Sequence, residues 1–338
     1  MKIKGSRVMK CIERTSCDDR IKTKEKETQT LTILLQFSDN FHTLKFYSFN
    51  REKKIYGRNK MKNQIKNKVI VVTGSSGGIG NAIVDKLASN DAKVCAAYHR
   101  NITADYYDKN ICWIQADLTK QEDRDRFFSF ALQKYGKIDV LINCAGILEP
   151  GEFSSIEINQ LNKMIELNLT STIILTQKVL SIMKNQKGGH IINIGSLGGI
   201  VPMPYSAVYS ATKFALRGFT FSLIEELNRT GINLSLITPG SVITKMLDYE
   251  AQADNSAISF LSNPISSLKV ADAVLKLIQK PKVELIIPRS QSIPSRLLVF
   301  SPKVFSITYK LLHRLGLSGK RKYLNRYCNF TLMKGVVR

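Results

Sequence analysis

Residues 68–90 read KVIVVTGSSGGIGNAIVDKLASN. After Lys68 the stretch opens with four apolar residues, all β-branched, the pattern of a strand buried on both faces of a parallel sheet. Residues 73–80 (TGSSGGIG) interrupt that run with glycines. Downstream, Ile79, Ile83, Val84 and Leu87 fall on one stripe of a helix. Strand, glycine turn and helix in this order aim backbone N–H groups and a helix N-terminus at one point, where a pyrophosphate fits. Glycine is required because the turn is tight and the phosphate must approach the backbone closely. This stretch predicts an α/β fold, a doubly wound parallel sheet with helices on both faces, and a dinucleotide at its edge.

Working outward, a second strand, KVCAAYHRN, covers 93–101, about twenty residues past the glycine turn. Its end is where such a fold tests the adenosine ribose. A carboxylate there would favour NAD by accepting from the free 2′-hydroxyl. The chain instead offers His99 and Arg100, and a guanidinium pairs well with a 2′-phosphate. NADP is therefore expected in preference to NAD.

Further on, residues 195–213 read GSLGGIVPMPYSAVYSATK. A serine ending a strand and a tyrosine and lysine opening the next helix would share one site. Tyr209 and Lys213 are four apart and so lie on one helical face. An ammonium beside a phenol favours the phenolate and pulls its pKa down from about 10. Such a phenol exchanges protons with a carbonyl or alcohol oxygen. A lone Tyr-x-x-x-Lys string means little in a helix; the glycine turn upstream gives it weight.

Taken together these stretches resemble the short-chain dehydrogenase/reductase family over roughly residues 66–290. The family's TGxxxGxG turn matches Thr73, Gly74, Gly78 and Gly80, flanked by Ser76 and Ile79. Its adenine-contacting acid matches Asp117, followed by Leu118. Its Asn-Asn-Ala-Gly segment appears as Asn143, Cys144, Ala145 and Gly146, with cysteine replacing the second asparagine. Asn168 matches the helix asparagine, and Ser196, Tyr209 and Lys213 match the catalytic set. Pro239 and Gly240 match the Pro-Gly segment, with Val242 and Thr244 beyond it at the nicotinamide end. Gly77 also satisfies the TGxxGxxG spacing of a longer, epimerase-like branch, but the compact core favours the reductase branch.

The resemblance implies about seven strands, NAD(P)-dependent interconversion of a ketone and a secondary alcohol, and a homodimer or homotetramer packed through helices near 156–185 and 206–229. Tyr209 would exchange the proton, Ser196 would hydrogen-bond the same oxygen, and Lys213 would tune Tyr209 and bond the ribose. Asn168 would hold a water in the proton path. The segments around the site, Leu148 to Pro150, Leu197 to Tyr205 and Val242 to Pro264, are mainly apolar, which favours a hydrophobic acyl, lipid or steroid-like carbonyl. No set of residues has metal-ligand spacing, and no metal is expected.

The net charge of +23 belongs to the ends of the chain. Residues 1–67 carry +10 and residues 285–338 carry +11, with no acid in the latter, leaving +2 for the body between. Residues 1–60 read as a disordered extension or a misplaced start, with a genuine basic arm as the alternative; residues 61–290 form the single catalytic domain. Residues 291–338 form a basic amphipathic extension that either caps the pocket or lies against a membrane surface. Neither end offers the apolar run needed to span a bilayer, and the scattered cysteines suit a reducing, cytoplasmic setting, with peripheral membrane contact compatible with it. A competing reading is a non-catalytic NADP sensor or a nucleic-acid-binding protein. The basic residues avoid the core and no nucleic-acid signature appears, so no nucleic-acid partner is expected.

Overall fold

A computed structural model describes residues 64–100, 108–253, 255–299 and 301–328. The chain divides into two units, residues 1–60 and 61–338. The first, with its expected extension, lies outside the described residues.

The central sheet has seven strands: β1 (Val69–Val72), β2 (Lys93–Tyr98), β3 (Ile111–Gln115), β4 (Val140–Asn143), β5 (Gly189–Ile194), β6 (Ile232–Pro239) and β9 (Glu284–Ile287). Their order is β3-β2-β1-β4-β5-β6-β9, and every pair is parallel. A two-stranded accessory pair, β7 (Val242–Ile243) and β8 (Ile265–Ser266), lies beyond β6 in sequence. Strand order runs one way from β1 to β3 and the other way from β1 through β4 to β9. The reversal between β1 and β4 opens the crevice where such sheets take ligands.

Alternation along each strand divides the core in two. Ile70, Val72, Val140, Ile142 and Ile192 pack with Ile83, Val84 and Leu87 of α1 (Gly78–Ala88) and Val270 and Val274 of α7 (Ser267–Gln279). Val71, Cys95, Leu141 and Ile191 pack on the other face. There they meet Phe127 of α2 (Gln121–Tyr135) and Leu175 and Val179 of α4 (Ser171–Asn185). Each fully buried branched side chain contributes about 1.5–3 kcal/mol. Strands buried on both faces explain why they read as unbroken apolar runs.

Three boundaries differ from expectation. The helix at the glycine turn begins at Gly78, inside the turn. Strand β2 ends at Tyr98, so His99 and Arg100 lie just past it, both exposed. The helix expected near 156–185 is α3 (Ile158–Ile165) and α4 joined by a π-helical turn at Glu166–Thr170. Helix α5 (Ala207–Glu226) carries Tyr209 and Lys213. One turn past Lys213, Arg217 donates to the largely covered side chain of Glu284 of β9 through Nε (3.0 Å) and a terminal nitrogen (3.3 Å). Thr238 (3.1 Å) and Arg296 (2.8 Å) donate to the same carboxylate. This cluster pins α5 against β6, β9 and α8 (Ser292–Leu298).

The described C-terminal residues include a 22-residue helix, α9 (Pro302–Tyr323), continued by a π-helical turn at Leu324–Cys328. Its inner side meets the turn Ala257–Phe260, which follows α6 (Lys245–Gln252). Gly316 and Gly319 allow backbone-to-backbone approach: an added Cβ would lie 2.1 Å from Ala257 O and 2.0 Å from Phe260 O. Tyr323 packs against Phe260 at a tilt, with ring centroids 5.2 Å apart, and its hydroxyl donates to Asp248 Oδ1 at 2.7 Å. No described helix is long and apolar enough to cross a membrane.

Candidate active site

Ser196 ends the extended segment after β5 and opens a 3-10 turn, Leu197–Gly199, its Oγ accepting from the Gly198 N–H at 3.0 Å. A Cβ built on Gly198 would sit 3.4 Å from both Ser196 Oγ and a ring carbon of Tyr209. Serine and tyrosine therefore face each other across that glycine. Gly199 packs on the Lys213 backbone, leaving 2.6 Å between its would-be Cβ and Lys213 O, which seats the turn on α5. Lys213 is buried, donates from Nζ to Ile194 O at 3.0 Å, and lies 5.8 Å from the Tyr209 ring centroid.

The phenol's electrostatics run opposite to the expected direction. Burial pushes the Tyr209 hydroxyl up to about 12; neighbouring Ser196 pulls it down and the Glu250 carboxylate raises it further. Burial also lowers Lys213 to about 8, with Cys144 opposing. The amine contacts a carbonyl and the ring rather than the hydroxyl. Desolvation therefore outweighs its attraction in the protein alone.

Asn168 sits in the π-helical turn and is completely buried. Its amide clamps the loop after β4: Oδ1 accepts from Ile147 N–H (2.8 Å), and Nδ2 donates to Ile147 O (2.8 Å) and Thr212 Oγ1 (3.3 Å). A Cβ at Gly146 would touch both Asn168 Oδ1 (3.3 Å) and Lys213 Nζ (3.7 Å). Asn168, Gly146 and Lys213 thus converge behind the phenol. The extra residue of the π turn rotates this stretch of helix and lets the amide reach sideways into the loop.

The residues expected to cradle a dinucleotide line up along the carboxyl ends of the strands. Gly74 has φ +65°, and its would-be Cβ falls 2.7 Å from Ala145 Cα, so neither backbone strain nor space admits a side chain. Gly80 is closed by Gly74 O at 2.1 Å and Gly78 by Thr244 Cγ2 at 2.7 Å. Helix α1 begins without a side-chain cap and without an acid in its first turn, leaving its first N–H groups for an anion. Ser76, half-buried, lies in the turn before it. Thr73 Oγ1 accepts from the N–H groups of Cys144 (2.9 Å) and Ala145 (3.1 Å), locking the turn to the β4 loop. His99 Nε2 is 3.7 Å from Asp117 Oδ2. Burial pushes the Asp117 carboxyl up, but bonds from the Thr119 hydroxyl and N–H, with His99 and Lys120, outweigh it and hold it low. A cradle that a Cβ would fill, beside an uncapped helix start, fits NAD(P).

Three expected cofactor residues have side chains engaged elsewhere. Asn143 Nδ2 donates to Asn193 Oδ1 (2.9 Å) and Thr176 Oγ1 (3.3 Å), inside the core. Leu118 is a buried core residue whose carbonyl accepts from Arg124. The Cys144 thiol packs against the core and is pushed up to about 12 by burial. Thr244 caps α6, accepting from the Leu247 N–H at 3.4 Å.

A cavity of about 450 Å³ joins the two halves of the site. Ile79, Pro239, Gly240, Val242 and Thr244 line it on the nucleotide side, and Ser196 and Tyr209 line it too. Leu148, Val201, Met203, Met246, Leu247 and Leu261 supply much of the apolar wall, as the sequence suggested. Glu250 and Gln291 also line it, as do Pro294, Leu298 and Leu312 of α8 and α9, where the pocket-capping reading of residues 291–338 put the C-terminal segment. Glu250 is buried, pushed up to about 7 by burial, and accepts from Ser259 Oγ at 2.5 Å. In sequence it reads as one more charge on a helix; the Gly316–Gly319 pair was the available sign that α9 is docked. Among the described residues, no three His, Cys, Asp or Glu side chains form a group able to hold a metal ion.

Residues 68–255 match the family model for short chain dehydrogenase. An uncharacterised oxidoreductase of Staphylococcus saprophyticus is 32% identical over 245 residues, covering 68% of this chain and 100% of that one. A second, from Staphylococcus epidermidis, is 32% identical over 222 residues, 64% of this chain and 94% of that one. Among solved structures, 3-ketoacyl-(acyl-carrier-protein) reductase from Brucella melitensis complexed with NADH is 25% identical with a TM-score of 0.61. It covers 66% of this chain and 97% of its own. ElxO with NADP bound is 27% identical with a TM-score of 0.59, covering 65% and 97%.

Proposed function

The chain belongs to the short chain dehydrogenase family, enzymes acting on CH–OH groups with NAD(P), and from that premise we propose that it reduces a hydrophobic ketone to a secondary alcohol with NADPH. The observation that carries this reading is that Ser196 and Tyr209 share a largely apolar cavity with the nucleotide-side residues. When bound, the cofactor supplies the hydride. Tyr209 gives its proton to the oxygen on which charge develops, and a phenol held near 12 is fully protonated at neutral pH. An alkoxide is far more basic than a phenolate, so that proton transfer runs downhill, and the phenolate regains its proton before the next turnover. Ser196 hydrogen-bonds the same oxygen. Lys213, with donors beyond its bond to Ile194 O, holds the ribose and steadies the phenolate left behind.

Arg100 and His99, past the end of β2, support NADP, since that position offers a cation where NAD would want a carboxylate. ElxO was solved with NADP and the Brucella enzyme with NADH, so these neighbours divide on the question and the choice rests on Arg100. Family enzymes typically act on small substrates as oligomers. The exposed Ile158, Ile165 and Phe214 on α3 and α5 support a dimer or tetramer through those helices.

The test is NADPH oxidation by the full chain over a panel of ketones graded in apolar character. Turnover is expected on the apolar members, with Tyr209→Phe lowering kcat/KM by about 10³-fold while NADPH still binds. Arg100→Ala should weaken NADPH at least about tenfold and leave NADH unchanged. Tight NADPH binding with no carbonyl reduced would overturn the enzymatic reading in favour of a sensor. Equal loss for both cofactors would remove the phosphate argument.

A further inference from the structure

We propose that the outward face of α9 lies on an anionic lipid surface, holding the enzyme at a membrane without crossing it. The inner face of this helix is committed to the protein through Leu312, Gly316, Gly319 and Tyr323. The outer face carries two adjoining rows. Ile307, Leu311 and Leu315, four apart, are 78%, 60% and 58% exposed. Beside them Lys303, Lys310, Arg314 and Arg321, all exposed, recur at intervals of seven and four. On α8, Ile293 and Leu297, also four apart, are 70% and 64% exposed.

Apolar residues scattered singly on a surface mean little, but a contiguous ridge invites cover. The charge decides what covers it. Residues 285–338 hold eleven cations and no acid. A second copy of the chain seated on this face by a two-fold axis would set cations against cations. A polynucleotide would satisfy the cations but leave the leucine row in water. A bilayer with acidic headgroups accepts both rows at once: aliphatic side chains enter the acyl boundary while lysine and arginine heads stay among the phosphates. The helix is too polar to span, which is consistent with lying flat. The inference stands apart from the choice of substrate, since it uses none of the cavity.

The experiment is co-sedimentation of the full chain with vesicles of phosphatidylcholine containing phosphatidylglycerol, against vesicles of phosphatidylcholine alone. Binding is expected only with phosphatidylglycerol and should fall as salt rises. Neutralising three cations together, Lys310→Gln, Arg314→Gln and Arg321→Gln, should cut the partition coefficient about a hundredfold. Leu311→Glu should cut it about tenfold or more. Turnover on a soluble ketone should be unchanged in each, which also shows that the variants fold. Absent binding, equal binding to both vesicles, or binding undiminished by either variant would overturn the proposal; the last would assign the effect to residues 1–60. A dimer broken by Leu311→Glu, without vesicle binding, would replace the lipid with a second copy.

Discussion

Replacing Gly316 and Gly319 with alanine tests whether α9 is a structural part of the substrate cavity. On a free helix the two changes would stabilise the protein, because alanine is favoured over glycine by about 1 kcal/mol per interior position. On the docked helix each new methyl starts about 2 Å from a backbone oxygen of the Ala257–Phe260 turn. Comfortable contact for such atoms is roughly 3.5 Å, so the helix must retreat by more than about 1 Å. A backbone oxygen cannot rotate aside as a side chain can. Overpacking of this kind costs about 1–3 kcal/mol per site, more than the propensity gain, so the two pictures predict opposite signs.

Retreat of α9 also moves Leu312 on the cavity wall and loosens the Tyr323–Asp248 bond that holds α6. Urea unfolding of the double variant should show a loss of about 2 kcal/mol. KM for the ketone should rise by about tenfold or more, since an ångström of misplacement is felt in binding geometry. NADPH affinity should fall far less than KM rises, because most of its cradle is built from β1, β2, β4 and α1, with Thr244 linking it to α6. A double variant more stable than the parent, with KM untouched, would show that α9 does not rest on the turn.

Two further outcomes concern buried carboxylates. Glu284→Gln should destabilise the fold by about 2–3 kcal/mol, since Arg217 would keep one charge without its partner. Hydrogen bonds from Arg217, Thr238 and Arg296 hold the Glu284 carboxyl below its ordinary range despite burial. Its contribution is therefore present above about pH 4.5 and lost as pH falls through the lower folded value, so parent and variant should converge in acid; a gap constant with pH would refute this. Glu250 has the opposite sign: raised from 4.5 to about 7, it favours the folded state below pH 4.5, and that advantage disappears as pH climbs to 7. Parent stability should drop by about 3 kcal/mol across that window relative to Glu250→Gln, whose own profile lacks this step; parallel profiles would refute the assignment.

Much of this architecture was readable because buried parallel strands must be apolar on both faces. The stretches around Val69–Val72 and Lys93–Tyr98 read as such strands once Gly74 and Gly80 fixed the turn between the first strand and helix. The Ser196–Tyr209–Lys213 spacing was readable for a similar reason, since four residues on a helix fix a face. Spacing does not carry dielectric, however. Whether the lysine or the loss of water governs a phenol depends on depth, and in the protein alone depth prevails, leaving Tyr209 near 12. Asn168 likewise matched by position, but its clamp on Ile147 depends on a π turn, which has no signature in side-chain periodicity.

The C-terminal residues show the same division. An amphipathic pattern says that a helix has two faces, not what each one meets. Leucine faces both the cavity, at Leu312, and the outside, at Leu311 and Leu315. Glycine separates the alternatives, because Gly316 and Gly319 mark the side on which backbone touches backbone. Once that side is fixed, the exposed leucines and the exposed cations Lys303, Lys310, Arg314 and Arg321 are left together on the other. Within this fold one helix is used twice: one face closes the largely apolar cavity, and the other is the face proposed above to meet an anionic lipid surface.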